Sequence, residues 1–196
     1  MIAKVLEFLR NNLNRAMAQN SPDEVGKDLF VYVNTQKDDS VNFDPDVISM
    51  SLVRIEEEKT LRQGDPYIRK TASGNPLKVA PAIRMNLWVL FVARFPNDYA
   101  QALQQLSNIV SYFQNHRTFN QENSPNIDTD IGVPQLIMEL FTPSFLEQNE
   151  IWGSLRSAYQ PSVLYKVGMV VFQDEDGQPI PIVDEVAQTT TQKPSS

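Results

Sequence analysis

A catalytic site must be built from residues that ionise, attack or ligate, and this chain holds few of them. His116 is its single histidine, and it contains no cysteine. Thiolate catalysis, disulfides and cysteine-based metal sites are thereby excluded, and one histidine without an H-E-x-x-H pair gives no zinc spacing. His116 precedes Arg117 at the end of a helical pattern, where a cap on the last carbonyls is the ordinary role. Carboxylates cluster at Glu56-Glu57-Glu58, at Asp128 and Asp130, and at Asp174-Glu175-Asp176. An acid–base pair needs one carboxyl in an apolar pocket, and nothing in the sequence supplies that. The Glu triplet reads as the exposed end of a strand. The last cluster precedes Gly177 and is superficially like a calcium loop, yet it lacks the EF-hand spacing and the Glu at position twelve. Asp176-Gly177 reads as a turn leading to a short extension through Pro179 and Ile180. Ser162 follows Pro161 without the glycines of a nucleophile elbow. The seven glycines are not grouped as a phosphate loop, and the aromatics do not alternate with basic residues as a base-stacking platform would. The expected catalytic, cofactor-binding and metal-binding residues are none.

One electrostatic feature stands out. Lys59, Arg62, Arg69, Lys70, Lys78 and Arg84 fall in one 26-residue segment whose single acid is Asp65, a local charge of about +5 in a chain of −7. The same segment is broken by Gly64, Pro66, Gly74, Pro76 and Pro81. A solvated loop is one reading of it. The other is a docking arm for an acidic partner, where complementary charge sets register and encounter rate. A structureless loop over 59–82 is long for a compact domain, and such loops are generally functional.

The elements around these residues follow from hydrophobic period. Ile2, Val5, Leu6, Leu9, Leu13, Ala16 and Met17 make a helical stripe, with Lys4, Glu7, Arg10, Asn11 and Asn14 opposite. Asn20-Ser21-Pro22 ends it. Leu29 to Val33 is a short β-like run, and Asn34 to Asp46 reads as a loop. In Val47 to Glu57, Ile48, Met50 and Leu52 share one face, while Val47, Val53 and Ile55 share the other with Ser49 and Ser51. Arg84 to Arg94 is apolar on both faces, the pattern of a central strand covered on both sides. Pro96-Asn97 opens a second helix carrying Tyr99, Ala102, Leu103, Leu106, Ile109, Val110 and Phe113. After a polar connector at 117–131, Val133 to Phe141 alternates as a half-buried strand, with Leu136, Met138 and Leu140 on one side. Thr142-Pro143-Ser144 caps a short helix holding Phe145, Leu146, Ile151, Trp152 and Leu155. A Trp152-Gly153 turn and the Tyr159-Gln160-Pro161 connector lead to a last strand, Val163 to Phe172. This order predicts an α+β fold with a single mixed, largely antiparallel β-sheet and packed helices.

Composition sets outer bounds. A chain of 196 residues with 41% hydrophobic and 21% charged residues fits one globular domain. Its acidity gives no global electrostatic reason to bind nucleic acid or anionic lipid. No window is long and apolar enough to span a membrane, so no membrane insertion is expected. Lys4, Glu7 and Arg10 interrupt the first apolar stripe, so the N-terminus reads as folded protein made in the cytoplasm without a signal peptide. Residues 187–196 have nothing to bury and are expected to be largely disordered. The domain expectation is 1–173 with the basic loop at 59–84, followed by an extension at 174–196.

The order of several stretches resembles one family. They are the early helix with Val5 and Leu9, the strand Ser51-Leu52-Val53-Arg54-Ile55-Glu56-Glu57, the strand Leu87-Trp88-Val89-Leu90-Phe91, and the helix Tyr99 through Phe113. Last comes Trp152-Gly153-Ser154-Leu155, leading to Pro161-Ser162-Val163-Leu164-Tyr165-Lys166-Val167. Together they resemble the Pvc16-type (DUF4255) proteins, the cap or tail-terminator subunits of phage-tail-like contractile injection systems. Gly168 departs from the basic or larger residue expected there. The resemblance implies a structural, non-enzymatic subunit of a six-fold ring that ends the inner tube and contacts the last sheath ring. Implied partners are copies of itself in a homo-hexamer, alone or with cap paralogues, the inner tube protein and the sheath protein, with no cofactor. The implied particle is extracellular after lysis or stays within the cell. Lys59, Arg62, Arg69, Lys70, Lys78 and Arg84 are the expected assembly interface, and Trp152, Tyr159, Pro161 and Tyr165 the expected structural anchors. The competing expectation is a small hydrolase or small-molecule-binding enzyme with a pocket under the 59–82 loop.

Overall fold

The computed structural model describes residues 1–20, 28–35, 40–59, 68–70, 76–78, 83–127, 131–172 and 178–179. In chain order these give α1 (Ile2–Asn20), β1 (Phe30–Tyr32), β2 (Asn34–Thr35), β3 (Val41–Asn42), β4 (Val47–Glu57), β5 (Ile68–Lys70) and β6 (Pro76–Lys78). They continue with β7 (Ile83–Arg94), α2 (Tyr99–Asn115), β8 (Thr118–Asn120), β9 (Gln135–Phe141), α3 (Phe145–Ser154), β10 (Ser162–Phe172) and β11 (Gln178–Pro179). The chain divides into two compact units, one of Met1–Leu61 with Ile83–Phe172 and one of Arg62–Ala82 with Gln173–Ser196.

The first unit is built on a six-stranded sheet of order β1-β4-β7-β10-β9-β8. β1 runs parallel to β4, and every other pairing in it is antiparallel. The fold is therefore α+β with a mixed, mostly antiparallel sheet, as the order of patterns predicts. β7 lies in the middle, and its two-sided apolar pattern has a direct structural cause. Leu87, Val89, Phe91 and Ala93 point into one core, and Leu90 and Val92 into another. Each face of the strand must be covered, because side chains alternate across a sheet.

α1 and α2 cover the first face. Val5, Leu9, Leu13 and Met17 recur every fourth residue along α1, and all are buried. α2 contributes Ala102, Leu106, Ile109 and Phe113. Asp98 caps α2 by accepting from Gln101 N–H at 2.9 Å, which satisfies one of the donors that a helix start leaves free. Phe91 sits at the centre, edge-on to Phe30 at 6.4 Å and to Tyr165 at 6.0 Å, with Phe113 at 5.9 Å. The second face carries a smaller core of Phe43, Leu90, Val92, Trp152, Leu155 and Leu164.

Several details differ from the sequence reading. The β4–β7 register shifts between Leu52 and Arg54, where Val53 is an extra residue. Such a bulge reverses the facing of everything beyond it. Ile55 therefore pairs with Leu87 on the helix-covered face, away from Val47 and Val53. Leu136 and Met138 are buried as expected, but Leu140 is 53% exposed, because it lies in the last turn of the alternation beside an open groove next to α2. The polar connector after α2 contains a short strand, β8, too brief to show a period. Short strands also fall within the 59–84 segment, where β5 pairs with β6, and β11 of the C-terminal extension pairs with β6 to complete a three-stranded sheet. The expected disorder of 187–196 lies outside the described residues.

Gly153 is not in a turn. It lies within α3, and the helix ends through Arg156, whose φ of 51° is left-handed. Arg156 N–H donates to Gly153 O at 3.2 Å, and Ser157 N–H reaches Trp152 O at 3.5 Å. That is the double closure in which a left-handed residue ends a helix. The start is held by a reciprocal box, with Ser144 N–H and Oγ donating to Glu147 at 2.8 and 2.9 Å and Glu147 N–H donating back to Ser144 Oγ at 3.3 Å.

Two substitutions test this account of α3. Trp152 is 6% exposed and packs on Phe43 at 5.6 Å, so Trp152→Ala is expected to cost about 3–5 kcal/mol. A Cβ on Gly153 would meet nothing within 4 Å, so Gly153→Ala should stabilise by about 1 kcal/mol. Denaturant unfolding measures both, and a loss of stability in Gly153→Ala would contradict the helical placement of that residue.

Candidate assembly surfaces

The six basic residues fall in different settings. Lys59 is exposed just after β4, and Arg84 is half-buried near the start of β7. Arg69 and Lys70 belong to β5 and Lys78, exposed, to β6. Arg62 lies outside the described residues. Arg62, Arg69, Lys70 and Lys78 thus belong to the second compact unit, and Lys59 and Arg84 to the first.

The Glu triplet is more than a solvated strand end. Beyond the bulge, Arg54 lies opposite Trp88 and Glu56 opposite Asn86, on the part of the second face that Phe43 and α3 leave bare. Glu56 accepts from Trp88 Nε1 at 3.1 Å and from Arg54 at 3.0 Å. Glu58 accepts from Asn86 at 2.8 Å. Lys166 lies between Glu58, at 3.9 Å, and Glu139, at 3.7 Å. Trp88 is thus surrounded by Arg54, Glu56 and Lys166, while its ring meets Phe141 edge-on at 4.6 Å. Gly168 also gains an account. A Cβ there would come within 3.5 Å of the Asn86 side chain, so the amide occupies the space a larger residue would seek. Sequence reasoning missed this polar network because its members come from β4, β7, β9 and β10. The alternation of Glu56 and Glu58 is its one local sign.

Unpartnered apolar side chains gather at α3 and α2. Phe145 is 88% and Leu146 69% exposed at the start of α3, and Tyr99 is 65% exposed on α2. A cleft of about 280 Å³ separates α3 from the sheet, floored by Val53, Trp88, Phe141 and Leu164 and rimmed by Arg54, Glu147 and Glu150. A second cleft of about 490 Å³ runs between α1 and residues 123–127 with Ile131. The pocket expected under the 59–82 loop falls largely outside the described residues.

His116 caps α2. Its Nδ1 donates to Tyr112 O at 2.9 Å and its ring stacks on Tyr112 at 4.4 Å. Among the described residues no group of three acidic or histidine side chains is placed to hold a metal. No helix among them is long and apolar enough to cross a membrane. Asp128, Asp130, Asp174, Glu175 and Asp176 lie outside the described residues.

The four proposed anchors separate. Trp152 and Tyr165 are buried, Pro161 is half-buried, and Tyr159 is 56% exposed while packing edge-on against Trp152 at 5.4 Å. Pro161 O accepts from Ala93 N–H at 3.0 Å, extending the β10–β7 ladder. Burial pushes the Tyr165 phenol up to about 12.

This fold is similar to two solved structures from contractile injection systems. Similarity extends to the sheath/tube terminator, in its extended state, of the PVC extracellular contractile injection system. The TM-score is 0.54 and the identity 20%, over 91% of this chain and 63% of that one. It extends likewise to the tube-terminating cap of the anti-feeding prophage, with a TM-score of 0.54 and 19% identity over 91% of this chain and 60% of that one. The chain spans about three fifths of the length of these structures. It matches the Pvc16 N-terminal domain over residues 4–185 and belongs to that family. No curated protein matches it closely enough to count as a relative.

The buried phenol makes a pH prediction. An acid whose folded pKa is raised keeps its proton in the fold longer than in the unfolded chain, so stability falls once pH passes the unfolded value. Thermal unfolding of the protein is expected to lose stability between about pH 10 and 12. Tyr165→Phe should lose less over that interval, and an equal loss would separate the effect from Tyr165.

Proposed function

We propose that the chain is a structural, non-enzymatic cap subunit that ends the inner tube of a contractile injection particle and contacts its sheath. Membership of the Pvc16 N-terminal domain family over residues 4–185 carries this reading. The likeness of fold to a sheath/tube terminator and to a tube-terminating cap supports it. The working form is a hexameric ring of the chain, alone or with cap paralogues. Such a ring ends a polymer by geometry. One side matches the tube and sheath, and the other side offers no further docking edge. Closed rotational symmetry supplies this with one kind of subunit. The particle is released by lysis or held in the cell.

Within this reading the basic residues of the second unit, Arg62, Arg69, Lys70 and Lys78, form an assembly surface for an acidic partner. Their local charge is opposite to that of the whole chain, and complementary fields raise encounter rates and fix register.

Particles made without the chain are expected to carry tubes of uncontrolled length or open ends in electron micrographs. Particles of normal length with closed ends would overturn the proposal. Reversing Arg62, Arg69 and Lys70 to Glu should reduce cap occupancy on purified particles, with circular dichroism unchanged. Milder neutralising changes should weaken binding in a salt-dependent way. Full occupancy by the charge-reversed protein would return these residues to the solvated-loop reading.

A further inference from the structure

A β-sheet ends in strands whose outward peptide groups invite another chain to pair. In the six-stranded sheet the end strands are β1 and β8. On β1, Ile48 N–H donates to Leu29 O and Val33 N–H donates to Met50 O, so Leu29, Val31 and Val33 turn their peptide groups toward β4. Phe30 turns its groups outward. Both are taken by one side chain of α1: Asn14 Oδ1 accepts from Phe30 N–H at 2.9 Å, and Asn14 Nδ2 donates to Phe30 O at 3.2 Å. Four residues earlier on α1, the Arg10 guanidinium stands 4.9 Å over the ring of Tyr32, the next residue that turns outward. The helix therefore lies along the strand's open side.

The other end is treated the same way by different means. Met138 N–H donates to Arg117 O at 2.8 Å. Bonded residues alternate along an antiparallel pair, so Thr118 and Asn120 face away from β9. Asn123 Oδ1 accepts from Asn120 N–H at 3.0 Å, and Asn123 Nδ2 donates to Thr118 O at 2.6 Å. Asn120 O accepts from Ser124 N–H at 2.7 Å. The turn after β8 thus folds back over the strand's outer side.

A primary amide has the donor and acceptor of a peptide group, and at each end it stands where the next strand's peptide would stand. We infer that Asn14 and Asn123 seal both edges of the six-stranded sheet against strand addition by a second copy of this chain. Contacts between copies are then confined to helix faces, the exposed second face of the sheet and the second unit. The inference rests on the bonds at the two edges, and its sedimentation arm rests on the closed ring proposed above.

Amide hydrogen exchange on the full chain tests it. In Asn14→Ala, Phe30 N–H is expected to exchange about tenfold faster, and in Asn123→Ala so is Asn120 N–H. Asn14→Asp, whose carboxylate still accepts from Phe30 N–H, should keep that amide slow, which separates the local bond from a general loss of stability. Sedimentation velocity of Asn14→Ala/Asn123→Ala should show species growing without limit as concentration rises, where the parent protein reaches a fixed largest species. Asn123 lies in an exposed turn, so its single variant carries the test if the double variant does not fold. Unchanged exchange at both amides would overturn the inference. So would unchanged sedimentation of a folded variant whose edge amides exchange fast.

Discussion

Burial of β7 on both faces is the constraint from which the rest of the first unit follows. A strand whose odd residues Leu87, Val89, Phe91 and Ala93 and even residues Leu90 and Val92 are all apolar needs two separate covers. At about 25 cal/mol per Å² of apolar surface removed from water, neither face can be left bare without a large loss. The long amphipathic helices α1 and α2 supply one cover. Trp152 and Leu155 from the α3 region, with Phe43, supply the other. Phe91 ties the first cover together, since it meets Phe30, Phe113 and Tyr165 from three different elements. A change in any one of them is felt by the others, because cores are packed as tightly as organic crystals.

The second cover is shorter than the sheet, and this asymmetry decides where polar chemistry appears. Phe43 and α3 protect Leu90, Val92 and Leu164 but stop short of the far end of the strands. The extra residue at Val53 places Arg54 opposite Trp88 and Glu56 opposite Asn86 on that bare end. Without the bulge, Ile55 and the pair Arg54 and Glu56 would exchange faces. The inserted residue thus brings Arg54 and Glu56 to the face where Glu58, Glu139 and Lys166 form a partnered charge set, while Ile55 turns to the other face and stays 47% exposed. The set is well suited to positioning and poorly suited to acid–base work, because each carboxylate has a cation or a donor beside it.

Elements with a long period were legible in the sequence. α1, α2, β4, β7 and the capped start of α3 stand where the stripe, the alternation and the Ser144 cap place them. What was not legible depends on register or on three-dimensional neighbours. A bulge leaves no trace in the composition of SLVRIEE, so the facing of Ile55 was assigned from unbroken alternation. Gly153 was read as a turn because glycine is usually punctuation, whereas the left-handed position is held by Arg156. Asn14 was placed on the solvent side of α1 by its polarity. Its amide in fact reaches the backbone of Phe30, a use that only the proximity of a strand edge creates. The Glu58–Asn86–Lys166–Glu139 network joins side chains from β7, β9, β10 and the end of β4, and the alternation of Glu56 and Glu58 is its one local sign.

The same facts explain why the sequence could point to a family while giving no chemistry. What the matching stretches share is the spacing of buried positions: Val5 and Leu9 on α1, Leu87 to Phe91 on β7, and Trp152 through Tyr165 across α3 and β10. Those positions specify the sheet and the two cores that cover its central strand. Two of the shifted groups have a structural cause in the fold. Tyr165 is raised by burial within a core, and Glu147 is lowered by the Ser144 backbone and hydroxyl that make it a helix cap. The Glu147 shift favours the fold at neutral pH, where the carboxylate is ionised, while the Tyr165 shift acts only in alkali, where the unfolded chain would ionise and the fold resists it. Groups open to a partner lie at the surface. There Phe145 and Leu146 stand exposed on α3, and Arg62, Arg69, Lys70 and Lys78 belong to the second unit together with the acidic 174–176 stretch.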